Sequence, residues 1–170
     1  GNVTGDSNIS IGPYAGRRLT SGGYNTFIGS SAGRYTTSGS RNQFIGISAG
    51  SKNETGCENI AIGCHAGSRA TSGNHNTSIG RAAGFNNCTG HGNVAVGHSA
   101  GYGNRGSNNI SIGATAGPAD SCTNNVDNIL IGRQVGSSLT SGCSNIFMGV
   151  CAGVNAGTAT SAIVIGNCAG

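Results

Sequence analysis

A six-residue motif that recurs at nearly constant spacing is the strongest constraint on how this chain can fold. The motif is Ile-Gly-x-x-Ala-Gly, and it occurs ten times, with replacements such as Val96, Met148 and Val135. Successive copies begin 17 residues apart, except for one interval of 16 and one of 19. A fixed period of this length is typical of repeat proteins, in which each unit stacks on its neighbours. Residues 1–170 are therefore predicted to form one tandem-repeat array, and we expect the array to be part of a longer chain.

Each repeat contains one short segment with the composition of a β-strand. Three residues before the isoleucine stands an asparagine, and the positions between them are often β-branched or aromatic. A polar turn such as Leu19-Thr20-Ser21-Gly22 follows the motif, and no segment has helical periodicity. Seventeen residues suffice for one coil of a solenoid. The predicted fold is therefore all-β, a parallel β-solenoid or β-roll of about ten 17-residue coils, forming a rod roughly 50 Å long.

The 33 glycines among 170 residues could also indicate collagen or disorder, and the sequence argues against both. Collagen requires glycine at every third position and many prolines, whereas this chain has only Pro13 and Pro118. Disorder is disfavoured because the glycines are in phase with the isoleucines. Only 8% of the residues are charged and there is no tryptophan. Burial of apolar side chains is therefore expected to be shallow, and backbone hydrogen bonding is expected to carry more of the stability of the fold than in an ordinary globular domain.

The alternation of side chains within the strand predicts which residues lie inside the coil. We expect the first residue of each motif to form the core column of the solenoid. This column comprises Ile11, Ile28, Ile45, Ile62, Ile79, Val96, Ile112, Ile131, Met148 and Ile165. On this assignment an aspartate at Ile62 would unfold its coil, because an unpaired buried carboxylate costs several kcal/mol.

The residue before each core position points to the opposite face of the strand and is also apolar in many copies. It is bulky at Phe27, Phe44, Leu130 and Phe147. Because a thin coil has only one inside, these four residues are predicted to form an intersubunit face. The simplest arrangement is a homotrimer about a threefold axis. The alternative is a monomeric solenoid with exposed phenylalanines, since scattered apolar residues are normal on protein surfaces.

The asparagines form a second column, which is predicted to be structural. An amide at the same position of successive coils can bond to the next amide and so build a ladder along the rod. The column comprises Asn8, Asn25, Asn42, Asn59, Asn76, Asn93, Asn109, Asn128 and Asn145, and Ala162 replaces it in the last repeat.

The runs 25–33 (NTFIGSSAG) and 92–97 (GNVAVG) resemble the glycine-rich repeats of phage and giant-virus tail-fibre proteins. They are similar, more distantly, to the head repeats of trimeric autotransporter adhesins of the YadA type. The resemblance covers essentially the whole chain. It implies a trimeric fibre, extracellular or borne on a virion, that supports or performs surface attachment. The 17-residue period differs from the shorter repeat of the adhesin heads.

Residues capable of catalysis are few and scattered, so no enzymatic activity, metal or cofactor is predicted. The acidic residues are Asp6, Glu54, Glu58, Asp120 and Asp127, and no pair of them recurs at a spacing suited to a catalytic cleft. The four histidines occupy different positions of the repeat and cannot stack into a metal-binding column.

The seven cysteines suggest one specific bridge. Cys151 and Cys168 are 17 residues apart at the same motif position, so adjacent coils would bring their Cα atoms to about 5 Å, within disulfide range. This disulfide is predicted if the protein folds in an oxidising compartment.

Basic residues follow the motif in the first four coils, at Arg17, Arg18, Arg34, Lys52 and Arg69. This positive stripe is either a solvated face or a surface for an anionic ligand such as a glycan, lipopolysaccharide or nucleic acid. A net charge of +4 and few aromatic residues disfavour a dedicated nucleic-acid binder.

Two other functions remain open beside the fibre. As a glycan-binding adhesin module, the chain would recognise a host-surface glycan through turn residues such as Arg17, Tyr35, Phe85 and Tyr102. A monomeric extracellular solenoid would instead form a filament from single chains. Ice binding is disfavoured because Glu54 and Cys88 interrupt the column of threonines that it would need. No membrane insertion is predicted.

Overall fold

The computed structural model describes residues 4–119 and 125–170, and the protein is an all-β parallel solenoid, as the repeat predicts. The described residues contain ten strands and no helix. The strands are β1 Ile9–Ile11, β2 Thr26–Ile28, β3 Gln43–Ile45, β4 Ile60–Ile62, β5 Thr77–Ile79, β6 Val94–Val96, β7 Ile110–Ile112, β8 Ile129–Ile131, β9 Ile146–Met148 and β10 Ile163–Ile165. They form one sheet, in which the spatial order of the strands is their order in the chain.

Every strand pairs in parallel with the next strand at the same repeat position. Ile11 pairs with Ile28, for example, and Ile28 with Ile45. The short interval leaves Val96 paired with Ile112, and the long interval leaves Ile112 paired with Ile131. The differences in repeat length are therefore absorbed outside the strands. Nine steps of about 4.8 Å give the sheet a length of roughly 43 Å.

Each coil turns at two positions where the backbone is left-handed although the residue is usually not glycine. One is the fourth residue of the motif, as in Ser31 with φ 59°, and the other precedes the asparagine, as in Arg41 with φ 57°. The amide of Ser31 donates to the Pro13 carbonyl at 2.8 Å, and that of Arg41 to the Gly23 carbonyl at 2.9 Å. Hydrogen bonds to the preceding coil thus hold the corners in a conformation that costs about 1–2 kcal/mol per residue.

The middle residues of β2–β9 are buried inside the coil, which corrects the predicted intersubunit face. Phe27, Phe44, Leu130 and Phe147 are at most 2% exposed and fill the interior. Phe27 and Phe44 stack on each other, with ring centroids 5.4 Å apart. The alanine of the motif and the residue three places after its last glycine, such as Leu139, complete the buried columns. These four residues therefore form the core and make no contact between chains.

The predicted core column is wrong for the same reason, because the prediction took the outer face of the strand for the inner one. Ile11, Ile62, Ile79, Ile112, Met148 and Ile165 are exposed, and Ile28, Ile45, Val96 and Ile131 are half-buried. In a three-residue strand the first and last side chains point away from the middle one. A 17-residue coil wraps only one face of its strand, so the two isoleucine positions remain on the outside.

The core differs between the ends and the centre of the array. The first coils hold Leu19, Phe27 and Phe44, and the last coils hold Leu130, Leu139 and Phe147. Between them lies a cluster of three alanines, Ala83, Ala95 and Ala100. The central coils also bury Ser78, Asn87, Asn104 and Ser111, so their interior is smaller and more polar.

Candidate functional surfaces

The asparagine column forms a continuous buried ladder along the rod. Asn42 illustrates the pattern: its Nδ2 donates to Asn25 Oδ1 at 3.2 Å and to the Gly56 carbonyl at 2.8 Å. The backbone amide of Asn42 also donates to Asn25 Oδ1, at 2.9 Å. The same pairing links each asparagine to the next from Asn8 to Asn145. The amides are therefore occupied within the fold and are not available to a ligand.

The threonine column after the motif is likewise engaged within the fold. Thr20 Oγ1 donates to the Thr37 carbonyl at 2.9 Å, and Thr37 Oγ1 donates to the Glu54 carbonyl at 3.0 Å. Thr71 Oγ1 makes the equivalent bond to the Cys88 carbonyl at 2.9 Å. These hydroxyls join neighbouring coils, and Glu54 and Cys88 interrupt their column.

The outer face of the sheet presents an apolar surface, here called the isoleucine strip. It consists of the first and last residue of every strand, and 17 of these 20 side chains are apolar. The polar members are Thr26, Gln43 and Thr77. In the inner coils Ile62 is 37% exposed and Ile79 is 38% exposed, although both are flanked by strands on each side. The strip is therefore open to solvent along the whole sheet.

A second surface combines arginines with aromatic rings on coils 1–4, and we call it the arginine–tyrosine stripe. It consists of Tyr14, Arg17, Arg18, Arg34, Tyr35, Lys52 and Arg69. The guanidinium of Arg34 lies 5.2 Å from the Tyr14 ring centroid and 5.1 Å from that of Tyr35. Arg18 lies 4.7 Å from the Tyr35 centroid, and Arg17 lies 5.3 Å from that of Tyr14. Cation–π contacts of this kind hold the charged groups in place at the surface.

The stripe contains a shallow depression of about 330 Å³, lined by Arg18, Tyr35, Lys52 and Glu54. Among the described residues the one carboxylate that contacts basic side chains is that of Glu58, 3.3 Å from Arg41 Nη1 and 3.1 Å from His75 Nδ1. Within the part of the chain that the structure describes, the cations that line the depression therefore have no carboxylate within ion-pair distance, and the acidic group beside them is Glu54.

Further along the rod an aromatic cluster follows the stripe on coils 4–6. The rings of Phe85 and Tyr102 are parallel with centroids 5.1 Å apart, and Arg69 lies 5.1 Å from the Phe85 centroid. His65 meets Phe85 edge-on at 6.3 Å. The turn residues Arg17, Tyr35, Phe85 and Tyr102 thus lie in two neighbouring clusters along one side of the array.

The predicted disulfide between Cys151 and Cys168 is absent, and all six cysteines in the described part of the chain are free. Both residues occupy a left-handed corner, with φ 55° and 52°. Cys151 Sγ contacts Gln134 Oε1 at 3.7 Å, and Cys168 Sγ contacts Asn167 Oδ1 at 3.5 Å. The two thiols therefore make polar contacts with different neighbours, although they share one column. Cys122 and Asp120 lie outside the described residues.

No group of three or more histidine, cysteine or acidic side chains that could hold a metal is found in residues 4–119 and 125–170. His91 Nδ1 instead accepts a hydrogen bond from the Asn74 amide at 3.1 Å. A search of the same residues for a long apolar helix, of the kind that spans a bilayer, finds none.

Comparison of this chain with protein-family profiles, with curated proteins and with solved structures finds no match in any of the three. Its function must therefore be inferred from the two exposed surfaces, the isoleucine strip and the arginine–tyrosine stripe.

Sequence reasoning missed the isoleucine strip as a surface and missed the part that Tyr14 plays in the stripe. The sequence places Tyr14 three residues before Arg17, but this spacing does not reveal the contact of Tyr14 with Arg34. Its ring faces both Arg17 and Arg34, and Tyr14 itself occupies the left-handed corner of its coil, with φ 62°.

Proposed function

We propose that this chain is a structural segment of a fibre in which three copies pack side by side through their isoleucine strips. The observation that carries the proposal is the strip itself, an apolar surface repeated on all ten strands of the sheet. The fibre would hold a binding element at a distance from its base and so support surface attachment. We assign the segment no catalytic role.

The size of the strip favours its burial against another chain. It is roughly 43 Å long and about 7 Å wide, from the spacing and rise of the strands, or roughly 300 Å² in projection. The largest apolar patch on a typical soluble monomer is about 300–600 Å² and is often a functional site, so the strip falls within that range. Each Å² of apolar surface that is removed from water contributes about 25 cal/mol. Covering the strip is therefore a substantial driving force for association.

The narrow shape of the strip favours three copies over two. Two flat strips placed face to face would bury far less than the roughly 800 Å² per partner of a standard interface. Around a threefold axis each strip faces the axis, and residues beside it also contact the neighbouring chains. Ile47 and Val150 stand two residues after the strip in the sequence and are 57% and 37% exposed. They supply apolar side chains for those lateral contacts.

Parallel copies in register would also match the repeat of the solenoid. Each coil of one chain then meets the equivalent coil of its two partners, so the same contact repeats about every 4.8 Å along the fibre. This arrangement is a closed symmetric assembly of the usual kind. The likeness of the repeats to tail-fibre and YadA-type sequences supports the same assembly, and it supports a location outside the cell or on a virion.

The alternative is a filament made of single chains that stack end to end. Such a filament would extend the sheet but would leave the isoleucine strip in water along its full length. The side-by-side trimer is favoured because it covers the strip.

Small-angle X-ray scattering of the purified chain tests the proposal, since one curve gives both mass and maximum dimension. A parallel trimer predicts a mass near 50 kDa, three times the 16.6 kDa of one chain, with a length close to that of one solenoid. A mass of one chain would contradict the proposal. A mass that grows in proportion to length at constant cross-section would instead identify the end-to-end filament.

A further inference from the structure

We infer that the arginine–tyrosine stripe on coils 1–4 is a binding site for a linear acidic polysaccharide, with one acidic sugar seated in the depression lined by Arg18, Tyr35, Lys52 and Glu54. This goes beyond a structural role for the rod. It does not depend on trimer formation, because the stripe lies in the part of the coil that follows the Ala-Gly turn, away from the isoleucine strip.

The first support is unbalanced charge at a regular spacing. Five of the nine basic residues of the chain fall in two adjacent columns of four successive coils. Coils are about 4.8 Å apart, so like charges repeat along roughly 14 Å of the rod. Like charges held at this spacing repel each other. A polymer with anionic groups along its length would relieve this repulsion.

The second support is that tyrosine rings position two of the arginines. Arg34 is held between two tyrosine rings, and Arg18 is held against one of them. A guanidinium stacked on a ring keeps its N–H edge free, and that edge can donate two parallel hydrogen bonds to a carboxylate or sulfate. Each such contact favours the position of its guanidinium by about 0.5–1 kcal/mol, so binding costs less conformational entropy than it would with arginines that make no such contact.

The third support is Glu54, which favours a sugar over other polyanions. Its carboxylate lines the same depression as Arg18 and Lys52. A carboxylate repels phosphate groups, but it accepts hydrogen bonds from hydroxyls. An acidic sugar offers both an anion for the two cations and hydroxyls for Glu54.

The rings of the stripe disfavour single-stranded nucleic acid, which needs open aromatic faces on which bases stack. The Tyr14 ring carries Arg17 and Arg34, and the Tyr35 ring carries Arg18 and Arg34. The stripe therefore presents cations and hydrogen-bond donors, and each ring already has two guanidinium groups within 5.3 Å of its centroid.

The test is the affinity of the full chain for fluorescently labelled oligogalacturonate, measured by fluorescence anisotropy at physiological salt. The double variant Arg18→Gln/Lys52→Gln is expected to bind at least about tenfold more weakly, since it loses two charge-assisted contacts. The matched control Arg105→Gln/Arg133→Gln removes the same charge from exposed residues outside the stripe and should stay within about twofold of the unmodified chain. Circular dichroism checks that both variants keep the β-sheet spectrum.

Polyphosphate and oligo-dT of matched charge test the class of ligand. The unmodified chain is expected to prefer oligogalacturonate over both, and Glu54→Gln should narrow its preference over polyphosphate. The proposal is overturned if oligogalacturonate does not bind, or if the two double variants lose equal affinity. It is equally overturned if polyphosphate or oligo-dT binds as tightly as the acidic sugar, since the stripe would then attract any polyanion.

Discussion

At the residue scale, asparagine and glycine set the cross-section of the rod. Asn59 Nδ2 donates to Asn42 Oδ1 at 3.2 Å and to the Gly73 carbonyl at 2.7 Å, and Asn59 Oδ1 accepts from the Asn76 amide at 2.9 Å. One side chain therefore joins the strand to the opposite wall of its coil and to both neighbouring coils. Glycine is required where two backbones meet, as at Gly46.

Replacing Asn59 with alanine should destabilise the array by roughly 2–4 kcal/mol, because the Asn76 amide and the Gly73 carbonyl lose buried partners. Asn155→Ala is the matched control, since Asn155 is exposed and surface changes usually stay within about 0.5 kcal/mol. Urea unfolding followed by circular dichroism, at one fixed protein concentration, measures both. Equal midpoints for the two variants would contradict the structural role of the ladder.

Gly46→Ala should cost about 3 kcal/mol or more, since the backbone there is strained for any other residue. Gly46 has φ 131°, and an added Cβ would lie 2.7 Å from the carbonyl carbon and oxygen of Gly63 in the next coil. At Gly157, with φ 52°, an added Cβ meets nothing within 4 Å. Gly157→Ala should therefore cost only about 1–2 kcal/mol. Thermal unfolding measures the decrease in stability of each variant. A larger decrease for Gly157→Ala than for Gly46→Ala would refute the steric role of Gly46.

At the element scale, the strands and their pairing could be predicted from the sequence. Which face of each strand points to the core could not be predicted. The recurring six-residue motif gives the position of all ten strands, and its nearly constant period gives their register. Alternation separates Phe44 from Ile45 but does not say which of them faces the core, because alternation is symmetric between the faces. Isoleucine at both outer positions favoured the wrong choice, because a large apolar residue is usually buried in a monomer.

The arginine–tyrosine stripe was only partly predictable for a related reason. The basic column is visible from the spacing of Arg18, Lys52 and Arg69. The pairing of Arg34 with Tyr14 depends on a left-handed corner at a non-glycine residue, which no turn signal in the sequence marks.

The coils are expected to differ in local stability, because their cores differ in apolar content. The central coils bury Ala95, Asn87 and Ser111 where the outer coils bury phenylalanine and leucine. Small cavities of about 10 Å³ lie beside Ser78 and Asn87. Stability in a repeat array is approximately a sum over coils and their interfaces. Amides of residues 68–111 should therefore exchange with deuterium faster than those of residues 25–50.

Hydrogen exchange read by mass spectrometry of peptides checks this difference. Uniform protection along the array would mean that the buried asparagines of the central coils compensate fully for the missing apolar volume. Slower exchange in the centre would contradict the expectation outright.

At the scale of the whole molecule, the solenoid encloses one narrow core and leaves one long apolar face uncovered. The interior holds the middle residues of β2–β9, and the isoleucine strip lies outside along the full length of the sheet. The proposed fibre of three chains would cover this face and leave the arginine–tyrosine stripe on its outer side, open to the proposed ligand. In this proposal the isoleucine strip serves assembly and the arginine–tyrosine stripe serves binding.

The double variant Ile62→Asp/Ile112→Asp tests the proposed assembly most directly. Both side chains are more than a third exposed, at 37% and 38%, and lie three strands apart, so the charges remain solvated in the single chain and do not repel each other closely. They would be buried without partners at the proposed interface, at a cost of several kcal/mol. The measurement is the molar mass by light scattering of a variant that retains its β-sheet spectrum. We predict that the variant has a mass near the 16.6 kDa of one chain. The unmodified protein is expected to have about three times that mass. If the variant unfolds, these isoleucines belong to the core and not to the surface. If the variant folds and keeps the mass of a trimer, the interface between chains lies elsewhere. Either result would contradict assembly through the isoleucine strip.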